Sequence, residues 1–167
     1  MQIEILSISP GHTSKIGRML SEVMIGGDIL LFSGELGGGK TTFISGLAGG
    51  LDIADDISSP SFTILNEYKA GRLKLVHIDL YRLDGIDEFE NIGIDEYIYD
   101  SSNIVCIEWG EKVRDFIDRD HLVLDFKYQV DDDGINKRKI VFKSSSPYWD
   151  NKLRKFEKIM EKEQGTF

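Results

Sequence analysis

Gly34-Glu35-Leu36-Gly37-Gly38-Gly39-Lys40-Thr41 is the stretch on which the reading of the whole chain turns. It has the pattern G-x-x-x-x-G-K-[ST] of a phosphate-binding loop. The flanks agree. Residues 28–33, Asp-Ile-Leu-Leu-Phe-Ser, are apolar enough for a buried parallel strand. Phe43, Ile44, Leu47, Ala48 and Leu51 then recur as one face of a helix. Three consecutive glycines let the backbone curl and aim its N–H groups inward, because no Cβ blocks the approach. Those donors make an anion nest, and the helix behind them adds the positive end of its dipole. In such a loop the lysine, here Lys40, reaches the β- and γ-phosphates, and the hydroxyl of Thr41 ligates Mg²⁺. The expected fold class is α/β, a P-loop three-layer α/β/α architecture with a mostly parallel central sheet.

Bulk composition narrows the function. The chain has 167 residues, 41% of them hydrophobic and 29% charged, which suits one globular domain with a real core. No run has the length of a membrane span, and no basic segment followed by an apolar one opens the chain, so neither a membrane anchor nor a leader is expected. Cys106 is the single cysteine and sits among Ile104, Val105 and Ile107, which predicts a buried thiol in a reducing cytoplasm. The formal net charge of −9 opposes direct binding to a nucleic-acid backbone.

Upstream, Ile3, Ile5 and Ile8 alternate as a strand. Ser9 and Thr13 offer helix caps around Pro10, and Gly26-Gly27 is the expected stop of that helix. Downstream, residues 58–63 (Ser-Ser-Pro-Ser-Phe-Thr) pack four hydroxyls around a proline, a candidate switch segment or a plain turn. Residues 62–68 and 73–80 read as a hairpin, an antiparallel addition to the parallel sheet. Its second arm ends His77-Ile78-Asp79, which puts Asp79 at a strand's C-terminal end as the acid beside the loop and its metal. His77 shares that face, either orienting Asp79 or filling the core.

Residues 85–99 read as two short helices broken at Gly93, and Val113, Phe116 and Ile117 as another. Between them, residues 103–107 form a strand closing on Glu108-Trp109, a second carboxylate at a strand end, able to join Asp79 around one Mg²⁺ or a water. Trp109 either serves the site or covers the end of the sheet. Residues 122–128 and 135–142 form a last hairpin turning at Asp131-Asp132-Asp133-Gly134, whose acidic run lacks the rest of a calcium loop. Trp149, Leu153, Phe156 and Met160 make one stripe of a final helix. The expected layout is therefore residues 1–146 as the nucleotide-binding domain and 147–167 as a helix packed on it or appended to it.

With these residues in place, the chain resembles the TsaE family, small ATPases of the bacterial apparatus that makes threonylcarbamoyladenosine in tRNA. The resemblance rests on the loop at residues 34–42, on residues 59–63, on His77-Ile78-Asp79-Leu80-Tyr81-Arg82 and on Glu108-Trp109, with Thr13 as an additional position. Glu35, Gly38 and Ser61 depart mildly from the more usual Asp, Ala and Thr. The resemblance implies ATP and Mg²⁺ as cofactors, weak hydrolysis by the isolated protein, and TsaB and TsaD homologues as partners that hold the tRNA. It implies that Glu35, Leu36, Gly37, Gly38, Gly39, Lys40, Thr41 and Thr42 cradle phosphates, with Thr13, Ser61, Thr63 and Trp109 completing the nucleotide site. It makes Lys40, Asp79 and Glu108 the catalytic set and Thr41, Asp79 and Glu108 the metal set.

A small-molecule kinase would need an acceptor pocket and a lid with several arginines, and no stretch after the loop clusters them. A guanine-nucleotide switch would need Asn-Lys-x-Asp, and Asn136-Lys137-Arg138-Lys139 lacks the aspartate. A nucleotide-binding assembly module without hydrolysis is the third alternative.

Overall fold

A computed structural model describes the chain except for residues 61–62, 70, 84–85, 131–135, 145 and 165–167. The element order is β1 (Gln2–Ser7), α1 (Pro10–Ser21), β2 (Ile29–Gly34), α2 (Lys40–Gly50), β3 (Leu65–Tyr68), β4 (Lys74–Asp79), α3 (Ile86–Asn91), α4 (Ile94–Tyr99), β5 (Asn103–Glu108), β6 (Leu122–Val130), β7 (Asn136–Ser144) and α5 (Pro147–Gln164). Two 3₁₀ turns, Gly110–Lys112 and Arg114–Phe116, follow β5 where one short helix was expected, and Phe116 points outward, 59% exposed.

All seven strands join one sheet in the order β1-β7-β6-β2-β5-β4-β3. The central four, β6-β2-β5-β4, run parallel, and both flanks are antiparallel. That is the expected α/β class. Residues 29–32 of β2 and all of β5 are buried, and their continuous apolar runs fit a sheet covered by helices on both faces. On one face α1, α2 and α5 bury Ile16, Leu20, Phe43, Leu47, Trp149 and Phe156 against Leu30, Phe32, Leu124 and Phe142. On the other, Phe89, Ile94 and Ile98 of α3 and α4 close over Ile29, Leu31, Val76, Ile78, Val105 and Ile107. Cys106 is fully buried, and burial pushes its thiol far above the ordinary cysteine value. Gly93 takes φ 71° between α3 and α4, the predicted break.

Helix α1 starts as its sequence dictates: the Ser9 side chain accepts from His12 N at 3.0 Å, with Pro10 in the first turn. It ends at Ser21, before the expected Gly26-Gly27 stop. Beyond Ser21 the chain tightens into three-residue turns, Val23 N to Leu20 O at 3.1 Å and Met24 N to Ser21 O at 3.2 Å, before Ile25 N donates to Asp28 Oδ2 at 2.8 Å. Helices α1 and α2 touch backbone to backbone. A Cβ on Gly46 would lie 1.9 Å from Ser14 O, and one on Gly17 would lie 2.2 Å from Phe43 O. This crossing fixes α2, and with it the loop at its N-terminus.

Helix α5 docks by the predicted stripe: Trp149, Leu153 and Phe156 are wholly enclosed, and Met160 packs at the margin. It covers the same face of the sheet as α1 and α2. The acidic turn at residues 131–134 lies outside the described residues, although β6 and β7 pair up to Val130 and Asn136.

Candidate functional site

The loop between β2 and α2 carries its strain in glycine, with φ of 115° at Gly34, 76° at Gly37 and 102° at Gly39. Residues 36–42 line a cleft of about 190 Å³ together with Ser59, Asp79, Glu108 and Trp109. Lys40 is nearly enclosed and donates from Nζ to Gly34 O at 2.7 Å and Glu35 O at 2.9 Å. The ring of Trp109 lies over it, with Nζ 4.6 Å from the centroid. Burial draws the Lys40 ammonium below its ordinary value, opposed by the carboxylates of Glu108, Glu111 and Asp79. The lysine is charged and held by its own loop, with donors that a phosphate can claim.

The two acids stand where the parallel strands end. Asp79 and Glu108 are register partners on β4 and β5. Thr41, on the first turn of α2, donates its hydroxyl to Glu108 Oε1 at 2.7 Å. Asp79 takes Ser59 Oγ at 2.5 Å and Tyr81 N at 3.0 Å. One hydroxyl and two carboxylates make an all-oxygen donor set, which suits Mg²⁺ completed by water and phosphate oxygens. Among the described residues, no three His, Cys, Asp or Glu side chains group around one point.

One expectation is corrected in place. His77 does share the face of Asp79, but its Nε2 meets Glu108 Oε1 at 2.9 Å, reaching diagonally across to β5 instead of along its own strand. Trp109 is half-buried at φ 60°, a conformation rare for a bulky residue, and its ring also meets Tyr81 at 5.3 Å. Thr13 sits behind the loop, buried, with Oγ1 2.7 Å from Ser7 Oγ. Thr63 is exposed and donates to Asn66 Oδ1 at 3.0 Å, lining a neighbouring pocket with Ser59, Asp79, Tyr81 and Arg82. Ser61 lies outside the described residues.

Some contributors escaped the sequence reading. Ser59 lay in the hydroxyl-rich segment, yet nothing local marked which hydroxyl meets Asp79. Tyr128 of β6 donates to Leu36 O at 3.2 Å and carries Arg138 over its ring at 5.2 Å, so β6 and β7 buttress the loop from the side. A larger cleft of about 460 Å³ opens by Arg114, His121 and Lys143, away from the loop residues. Within the described residues, no helix is long and apolar enough to cross a membrane.

The profile of the family described as "Threonylcarbamoyl adenosine biosynthesis protein TsaE" matches residues 8–140. The chain is 36% identical over 132 residues to the tRNA threonylcarbamoyladenosine biosynthesis protein TsaE of Bacillus subtilis, covering 79% of this chain and 82% of that one. It is 41% identical over 108 residues to the protein of the same name from Treponema pallidum, covering 65% and 78%. The crystal structure of Bacillus subtilis YdiB superposes with a TM-score of 0.80 over 95% of both chains, at 28% identity. The chain belongs to the TsaE family of threonylcarbamoyl adenosine biosynthesis proteins.

Proposed function

We propose that this TsaE protein is a Mg²⁺-dependent ATPase that serves the threonylcarbamoyladenosine modification of tRNA, working with TsaB and TsaD homologues that hold the tRNA. The observation that carries the reading is the 2.7 Å contact of Thr41 with Glu108 inside the cleft that Lys40 and the loop glycines line. It brings a metal-ligating hydroxyl and an acid together where the phosphates of a nucleotide would lie.

Each side chain has a task. The amides of residues 36–42 and the dipole of α2 bind phosphate oxygens. Lys40 exchanges the carbonyls of Gly34 and Glu35 for the β- and γ-phosphates. Thr41 and Glu108 would hold Mg²⁺, and Asp79, tethered by Ser59, would complete the acid pair and orient the attacking water. A bound Mg²⁺ neutralises charge on the phosphates and polarises the bond to be cut. Trp109 shields Lys40 from solvent, which strengthens its pull on phosphate. The net charge of −9 suits a protein that leaves the tRNA to its partners.

An ATPase assay of the chain alone and with TsaB and TsaD homologues tests this. Turnover that rises on adding the partners and vanishes with chelator is expected. Binding without turnover, with or without partners, would leave a nucleotide-dependent assembly module.

A further inference from the structure

His77 is an improbable residue for its place unless it has a task. It is wholly enclosed, flanked on its face of β4 by Leu75 and Asp79 and paired in register with Cys106. Its Nε2 lies 2.9 Å from Glu108 Oε1, while Nδ1 meets no hydrogen-bond partner among the described residues. The carboxylate oxygen accepts, so Nε2 is the donor of this bond and Nδ1 is left without a partner among the described residues. Burying an unsatisfied polar atom costs stability, which an apolar residue at this position would avoid. The single bond to Glu108 is therefore what the imidazole contributes that Leu or Met could not.

That bond has a geometric consequence. Glu108 Oε1 receives two donors, His77 Nε2 at 2.9 Å and Thr41 Oγ1 at 2.7 Å. The donors come from β4 and α2, two elements that the sheet and the α1–α2 crossing hold in place. Together they fix the plane of the carboxylate and leave its other oxygen for the cleft that Glu108 lines. We infer that His77 is a positioning residue that holds Glu108 in the orientation that receives Mg²⁺, acting from behind without touching nucleotide. This rests on the reading of Glu108 as a metal ligand. Partners that orient a ligand in this way govern metal affinity, and their loss weakens it about 10–100-fold.

The test is a calorimetric titration of Mg²⁺ into ADP-saturated protein. His77→Leu and His77→Met differ in shape, so that packing is sampled twice; His77→Gln keeps an N–H near the Nε2 position. The expected result is a Mg²⁺ affinity weakened about 10–100-fold in the apolar variants and changed less than about 3-fold in His77→Gln. ADP affinity in chelator should be the same in all of them. Apolar variants that bind Mg²⁺ like the parent protein would overturn the inference. So would a Gln variant as weak as Leu, because the loss would then follow the ring and not the hydrogen bond. Glu108→Gln in the same titration separates the two levels. If it leaves Mg²⁺ binding intact, the metal reading itself falls; if it alone weakens binding, only the role of His77 falls.

Discussion

Strand β2 has a cluster of buried charge at each end, and the two are built in opposite ways. At its start Asp28 is 1% exposed and saturated. Tyr148 donates to its Oδ1 at 2.6 Å, while Lys152 and Ile25 N serve Oδ2. Burial, reinforced by Asp28, pushes the Tyr148 hydroxyl far above its ordinary value. Burial lowers Lys152, with Asp28 pulling the other way. At the far end Lys40 and Glu108 are also buried and Thr41 and Asp79 half-buried, but their partners are loop carbonyls, hydroxyls and each other, around a cleft. The first cluster ties α5 to the sheet and pairs its charges with each other. The second keeps donors and acceptors that a polyanion and a cation can claim. Buried charge marks a ligand site only where its pairing is exchangeable.

The largest effect should come from breaking the closed cluster. Asp28→Ala strands the Lys152 ammonium and is expected to cost about 3–5 kcal/mol in urea unfolding, with ADP affinity unchanged. Adding Lys152→Met should recover much of that loss, because no unpaired charge then stays buried. A cost near 1 kcal/mol, typical of an exposed pair, would erase the contrast. The open cluster should respond the other way round. Glu108→Gln should lower kcat for ATP by about 100-fold or more, since metal assistance contributes several kcal/mol, and should barely move the unfolding midpoint.

Smaller is the effect of Lys40→Ala, which removes charge-assisted bonds worth about 1.5–3 kcal/mol and should weaken ATP binding roughly 10–100-fold by calorimetry. Smallest is an ion cluster in neither buried group. Glu67 accepts from Tyr97 at 2.8 Å and pairs with Lys74 at 3.0 Å, and these hold its carboxyl down at about 2, against an ordinary 4.5. Its stabilisation is full above pH 4.5 and fades as pH falls toward about 2, because the unfolded chain takes the proton first. Glu67→Gln should flatten the acid limb of the stability curve in that interval; an unchanged limb would assign acid unfolding to other carboxylates.

Much of the site was legible because its parts are local. The loop at 34–41, the strand before it and the helix after it are contiguous, and Asp79 and Glu108 each close an apolar run that reads as a strand. Gly93 as a break and Ser9 as a cap were legible for the same reason. The end of α1 was not: Gly26-Gly27 looked like its stop, yet Ser21 is its last residue and the chain goes on in tight turns. Val113, Phe116 and Ile117 read as one short helix, but two tight turns stand there and Phe116 faces solvent. Tyr128 lies 92 residues from Leu36, and no local pattern joins them.

By itself the sequence determined the phosphate nest, the acids at strand ends and the amphipathic stripe of α5. Each follows from short-range backbone sterics or from the period of side chains along one element. Only the tertiary structure decided that His77 serves Glu108 and not its neighbour Asp79, that Ser59 is the hydroxyl on Asp79, and that Asp28 is locked by a helix more than a hundred residues later. Those pairings depend on strand order and register, which long-range packing selects and which no window of sequence contains.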